Sequence, residues 1–278
     1  MKSSQLTLSP LQLNYWQINP IFTPMVQRFL SILLIMSVNV VNAAVPIRWS
    51  DAILSQIIDQ AQTISAPGDK VDFLSAQFLN SRYQPNTLIG SPNLLERLVV
   101  NLNAVDCLTY LEYVEAMRRS DSITAFLTQL KAVRYQNGVV DYYHRKHFFS
   151  DWLIDNLNSI QDVTQIVGGK TSLKANKILN KHQAQLLVPG IAPYLKSVYY
   201  IPAYKIDAEI VSRMKNGDYI GIFTEREGLD VNHVGILIKK AAGVYFRHAD
   251  ALSRRVVDVD FVKFFKYQRG IVVFRPLK

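Results

Sequence analysis

The sequence predicts an α+β protein, and three observations carry that prediction. Apolar residues recur at helical spacing through much of the first half, alternation rich in β-branched residues dominates the last third, and Pro- and Gly-bearing stretches divide the segments. The 278 residues are 49% hydrophobic and 11% aromatic, enough to bury a sizeable core, and only 19% are charged, which excludes a largely disordered chain. A net charge of +9 favours anionic partners: nucleic acid, membrane headgroups and anionic cell-wall polymers all qualify. The basic pairs Arg118–Arg119, Lys239–Lys240 and Arg254–Arg255 are scattered, however, and read as solvated faces.

Residues 1–43 contain no acid. From Met25, which is a possible true start, a lone Arg28 is followed by the run FLSILLIMSVNVV and by the small residues Val41 and Ala43. That is the build of a secretory signal peptide cleaved after Ala43, because the run is short for a membrane span and no lipid-accepting cysteine follows it. The expectation is a periplasmic or secreted protein with no stable membrane anchor and no nucleic-acid partner, monomeric, whose residues 44–278 form one domain.

Ser50 caps a predicted helix with Ile53, Ile57, Ala61 and Ile64 on one face. After a break at Ala66–Gly68 a second helix runs over 69–80, and 81–93, with Pro85, Gly90 and Pro92, reads as loop. Residues 97–102 are extended. Asp106 then stands where an N-cap carboxylate accepts first-turn N–H groups, and Leu108, Leu111, Val114 and Met117 follow at helical spacing to about Arg119. Ser120 or Ser122 caps the next helix, which ends near Val133. Residues 172–187 allow a polar helix, 198–204 a strand and 207–214 a short helix. The turn Lys215–Asp218 leads into the strand YIGIFTE, followed by HVGILIK, a turn, VYFRHAD, a helix over 258–267 and a closing strand IVVFRP.

The one cysteine, Cys107, falls in the first turn of the Asp106-capped helix, where the positive end of the helix dipole favours a thiolate. A buried cysteine that merely packs is the alternative. Export weighs against it, since an unpaired thiol in an oxidising compartment is a liability unless used. The hairpin from His233 to Asp250, with its turn centred between Lys240 and Ala241, pairs residues whose numbers sum to 481, which sets His233 directly opposite His248. A thiol, an imidazole to take its proton and a polar group to fix that imidazole's tautomer make the set that nucleophilic acyl transfer requires. Cys107, His233 and His248 are therefore the candidate catalytic residues, with the Cys107 sulfur expected near hydrogen-bond reach of the His233 ring.

Tyr83 and Asn86 in the preceding loop are candidate substrate contacts, as is Asp106 if it meets a substrate amine instead of capping. The segment DYYHRKHFFSDW contains His144 and His147 three residues apart, a spacing that zinc ligands on a helix use. No third ligand accompanies them by motif. The expectation is therefore no metal and no cofactor, with His147 in a mixed aromatic and basic loop beside the cleft.

Asp106–Cys107, Gly217–Asp218 before a strand, His233–Ile236 as HVGI, and His248–Ala249 a hairpin later resemble the NlpC-type superfamily of papain-like cell-wall hydrolases. Leu108 and Thr109 replace the usual Ser-Gly after the cysteine, and the segment from Cys107 to His233 is longer than in the minimal domain. With Asp-Cys-x-Thr-Tyr and HFFSDW, the chain is similar instead to the exported amidase-like branch long catalogued as a domain of unknown function. The resemblance implies a papain-like fold, a nucleophile helix packed on an antiparallel sheet with extra N-terminal and central helices. It also implies an N-acetylmuramoyl-L-alanine amidase acting on peptidoglycan through a Cys-His-His triad, its oxyanion held by first-turn N–H groups. Stem-peptide endopeptidase (D-glutamyl-diamino acid), acyltransferase and non-catalytic cell-wall binding are the competing readings.

Overall fold

The computed structural model describes residues 49–155 and 158–278; the predicted signal peptide lies outside the described residues. The helix α1 (Asp51–Gln62) begins where Ser50 Oγ accepts the Ile53 N–H at 3.3 Å. Leu54, Ile58 and Ala61 are its buried residues, not the expected face of Ile53, Ile57, Ala61 and Ile64. Both stripes have helical period, and packing chose between them. Helix α2 (Pro67–Ala76) starts at the residue read as a break, because proline at the first helical position loses no N–H bond that a helix would have made.

The stretch 81–93, expected as loop, contributes the short strands β1 (Arg82–Tyr83) and β2 (Ile89–Ser91); β2 pairs with β3 (Leu94–Arg97), and β4 is Ala104–Val105, while of the extended piece expected over 97–102 only Arg97 is in a strand. Helices α3 (Cys107–Arg118) and α4 (Ile123–Arg134) follow, the second capped by Ser122. After single 3-10 turns come β5 (Ile160–Asp162) and α5 (Thr164–Gly168). The polar segment 172–187 is not helical. It forms β6 (Leu173–Leu179) and a small hairpin of β7 (Lys181–His182) and β8 (Gln185–Leu186), and β6 pairs along its whole length with β9 (Tyr194–Pro202). Its polarity suits an outer strand of the sheet with mostly exposed side chains, which is why the sequence suggests a polar helix there instead.

Then come α6 (Ala208–Arg213), β10 (Tyr219–Phe223), β11 (Val231–Lys240), β12 (Gly243–Asp250), β13 (Arg255–Asp260), α7 (Phe261–Phe265) and β14 (Gly270–Pro276). The helix expected over 258–267 is shorter because β13 consumes its start, and Asp260 caps what remains. Nine strands run in the order β4-β1-β13-β12-β11-β10-β14-β9-β6, with β5 also on β14. All their pairings are antiparallel except β1–β4.

Two apolar layers cover this sheet. On one face Tyr110, Leu111, Val114 and Met117 of α3 belong to the same core as Tyr219, Val234, Ile236, Ile238, Val272 and Phe274. On the other, Ile222, Leu237, Phe246 and Ile271 pack with Phe261 and Phe265 of α7. Central strands buried on both sides account for the continuous apolar run GILI in β11. The Gly217–Asp218 turn is built for closeness. Gly217 has φ +78, and a Cβ there would stand 2.4 Å from the Gly68 carbonyl oxygen. Asp218 is buried and paired with Arg275 at 2.7 Å, so it anchors β10 to β14.

Candidate active site

Asp106 is the cap the sequence called for. Its Oδ1 accepts the N–H groups of Leu108 at 3.0 Å and Thr109 at 2.8 Å, and Thr109 Oγ1 accepts the Asp106 N–H at 3.0 Å, closing a capping box. This fixes Cys107 as the first helical residue. It also spends the Leu108 and Thr109 N–H groups on Asp106, which leaves the Cys107 N–H as the first-turn donor for an oxyanion. Asp106 is thus primarily a structural carboxylate.

The thiol does not have the lowered pKa that the helix dipole suggests. Burial pushes it up to about 12, the Asp106 charge adds to the rise, and the N–H groups of Val234, Cys107 and Leu108 oppose it only in part. Loss of water around this part-buried thiolate outweighs the partial charge of a helix end. At neutral pH the group is the thiol.

The hairpin register differs from the expected one. Ile236 faces Arg247 and Lys240 faces Gly243, so paired numbers sum to 483 around a two-residue loop, Ala241–Ala242. His233 is therefore diagonal to His248. A two-residue shift keeps side chains on the same face, whereas a one-residue shift would have parted them. The rings still meet, with His233 Nε2 2.7 Å from His248 Nδ1 and the ring planes at 85°.

His248 is buried and stacks on Phe246 at 4.8 Å, with Phe264 on a further side at 5.2 Å. Its Nε2 is buried with no hydrogen-bond partner among the described residues. Burial lowers the His233 pKa to about 3, with His248 adding to the fall, and burial lowers that of His248 to about 4. Both rings are neutral at pH 7.

One cavity is lined by Cys107, Leu108, His147, Phe148, Asn232 and His233 among others. The predicted nucleophile and base both line it, and the thiol lies beside the backbone N–H of Val234, the residue after His233. Tyr83 does not line this cavity, though it lies near enough to Cys107, Asp106 and Asp250 that their charges, after burial, raise its pKa. Asn86 does not line this cavity. It lines an adjoining one with Asp106, Thr109 and Arg145, and Leu108 and His147 are common to both.

His144 and His147 turn to different partners. The half-buried His144 binds Asp141 through Nδ1 at 3.0 Å, and the His147 Nε2–H donates to the Tyr142 carbonyl at 3.1 Å. Sequence reasoning missed Asp230, whose carboxylate accepts the Ser150 N–H at 2.6 Å and the Val231 N–H at 2.7 Å. This fastens the HFFSDW segment to the start of β11, so Phe148 and Phe149 wall the cavity beside His233. An aspartate just ahead of an apolar strand was the available signal.

Fold and site together define an α+β protein whose capped helix start, bearing a cysteine, shares a cleft with one of two linked histidines. The chain belongs to the AmiA-like, N-acetylmuramoyl-L-alanine amidase-like family, whose model matches residues 73–271. A Legionella pneumophila protein of the family DUF1460 has the same fold at TM-score 0.71 and 23% identity, over 82% of this chain and 94% of that one. A Bacteroides uniformis protein described as an N-acetylmuramoyl-L-alanine amidase is 27% identical at TM-score 0.65, over 76% of this chain and 99% of its own. No curated protein matches the chain.

Proposed function

We propose that this protein is an exported cysteine hydrolase of the NlpC-type papain-like fold that cleaves the amide between N-acetylmuramic acid and L-alanine in peptidoglycan. The observation that carries the reading is the 2.7 Å His233–His248 hydrogen bond on a wall of the cavity that also holds Cys107. Family membership supports the substrate class, as does likeness to a protein described as that amidase. The packing of α3 on an antiparallel sheet that carries both histidines supports the papain-like assignment. The signal pattern before Ala44 supports a periplasmic or secreted protein with no stable membrane anchor.

The chemistry follows from the tautomers. With His233 Nε2–H donating to His248 Nδ1, His233 Nδ1 is a bare acceptor, and the His248 proton sits on its buried Nε2. His233 Nδ1 takes the Cys107 proton as Sγ attacks the lactyl carbonyl carbon, and the oxyanion is held by the Cys107 N–H. Because thiol and imidazole are both neutral at rest, proton transfer accompanies attack instead of preceding it. The C–N bond then breaks as the His233 imidazolium gives its proton to the alanine nitrogen. Water attacks the thioester, His233 takes its proton, and the carboxylic acid and free thiol are released.

The depressed His233 pKa keeps the base neutral well below the usual histidine range. Accordingly kcat/KM holds level from roughly pH 5 to pH 8 instead of falling near pH 6.5. The decisive experiment is mass spectrometry of muropeptides digested by wild type and by Cys107→Ala. Glycan bearing a free lactyl group together with intact peptide is the expected product, and it disappears with Cys107→Ala. Shortened peptides would make the enzyme an endopeptidase, and undiminished turnover by Cys107→Ala would end the case for cysteine chemistry.

A further inference from the structure

Three turns stand at the end of the sheet where His233 opens β11. Register carries that row across the strands: His233 faces Ile222 of β10, Ile222 faces Ile271 of β14, and Ile271 faces Ile201 of β9. The turn after β9 and the turn leading into β14 are therefore neighbours, joined where the Ala203 N–H donates to the Arg269 carbonyl at 3.2 Å. The β12–β13 turn follows Asp250 at the same end, and three strand spacings put it about 14 Å from β14.

Each turn presents an apolar side chain and a cation to water. Among the described residues the most exposed large apolar side chains are Leu252, Tyr267 and Tyr204, at 93%, 83% and 80%. Lys205 lies over the Tyr204 ring at 5.4 Å and Lys266 over the Tyr267 ring at 5.6 Å, while Arg254 stands two residues beyond Leu252. These three cations are exposed and have no carboxylate partner among the described residues. Residues 203–205, 250–255 and 266–269 carry five Lys or Arg and one Asp, so the end as a whole is basic. Of the acids closest to it, Asp250 is tied to the Leu252 and Ser253 N–H groups, Glu225 pairs with Arg269 at 3.2 Å, and Glu227 is turned toward the β7–β8 hairpin, where it accepts the Gln183 N–H.

We infer that this end of the sheet docks reversibly on an anionic lipid bilayer, with Tyr204, Tyr267 and Leu252 entering the headgroup layer and Lys205, Arg254 and Lys266 meeting lipid phosphates. Tyrosine has an apolar body and a polar tip, the build that suits a bilayer interface. Side chains this exposed, on convex turn tips, fit a deformable surface, whereas a small ligand needs a concave one. No helix among the described residues is long and apolar enough to cross a membrane, so the contact is peripheral. A few cations and apolar tips give weak, salt-sensitive binding, which falls short of a stable anchor. Docking by this end holds the cleft of Cys107 and His233 close to the bilayer, whatever bond the enzyme cleaves.

The test uses residues 44–278, the chain that the proposed signal cleavage leaves and that contains both apolar cores. It is sedimented with vesicles of phosphatidylcholine alone and of equimolar phosphatidylcholine and phosphatidylglycerol. The protein pellets with the anionic vesicles, stays in solution with the neutral ones, and is released as salt rises to about 0.5 M. Lys205→Gln with Lys266→Gln weakens the anionic-vesicle affinity about 30-fold, since each lysine at such a surface is worth about fivefold. Tyr204→Ser, Leu252→Ser and Tyr267→Ser together weaken it by at least about tenfold. All five side chains are exposed, so thermal melts of both variants match that of the parent. Binding to neutral vesicles as tight as to anionic ones, or no binding to either, overturns the docking surface. So does an affinity that the serine changes leave untouched, which would mark a soluble polyanion as the ligand, or one that the lysine changes leave untouched.

Discussion

The C-terminal end of α3 buries Glu115 and Arg118. Arg118 grips both carboxylate oxygens, at 2.7 and 2.8 Å, and also donates to the carbonyls of Leu277 at 2.6 Å and Ser159 at 3.2 Å, while Tyr219 completes the set on Glu115 at 2.7 Å. The N-terminal end of the same helix holds a part-buried thiol with a raised pKa at a cavity that neutral His233 also lines, and His233 is bonded to neutral His248, one of whose nitrogens is unpartnered. Both ends are polar, yet only the first is fully buried and saturated. The difference marks which end holds the architecture and which retains unspent capacity for proton transfer.

Breaking the saturated end has the largest effect on folding. Glu115→Gln leaves the Arg118 guanidinium buried without its counter-charge and costs about 3–5 kcal/mol in a denaturant melt, with kcat per folded molecule preserved. If stability barely moved, the contrast between the two ends would fail.

The unsaturated end responds in the opposite sense. His248→Phe removes the unpartnered nitrogen from an aromatic nest of Phe246 and Phe264, so stability holds or rises by up to about 1 kcal/mol. Turnover falls about 100-fold because His233 loses the acceptor that fixes its tautomer. Stability and kcat, measured on one preparation, should move apart; a parallel loss would mean that His248 is simply core.

A third effect is smaller and graded. His147, His233 and His248 all have folded pKa values lowered by burial, to about 4, about 3 and about 4. The unfolded chain therefore binds more protons, and stability is fully present above the ordinary histidine value near pH 6.5. It is lost as pH falls toward the folded values, at up to ~1.4 kcal/mol per pH unit for each ring. Denaturant melts between roughly pH 6.5 and pH 4.5 measure that slope, and His248→Phe should remove about one ring's share of it.

Much of the site was legible because its signals are local. Asp106 two and three residues ahead of the N–H groups it caps, a cysteine at the first helical position, and histidines on one hairpin are matters of short spacing that backbone geometry turns into position. The register was misplaced by two residues, yet the His233–His248 contact survived because strand faces alternate with period two. The segment 172–187 was misread for the complementary reason. An outer strand pairs on only one side and keeps polar residues, so Leu173–Leu179 has no apolar alternation to announce it.

By itself, then, the sequence determined the capped helix start at Cys107, the hairpin that carries both histidines and the face they share, since each depends on neighbours a few residues apart. Only the tertiary structure decided the state of those groups. The thiol's rise, the neutral imidazoles and the fastening of Phe148 beside β11 by Asp230 all depend on how much water the packed chain excludes. They depend equally on which distant groups replace that water, and no local spacing encodes either.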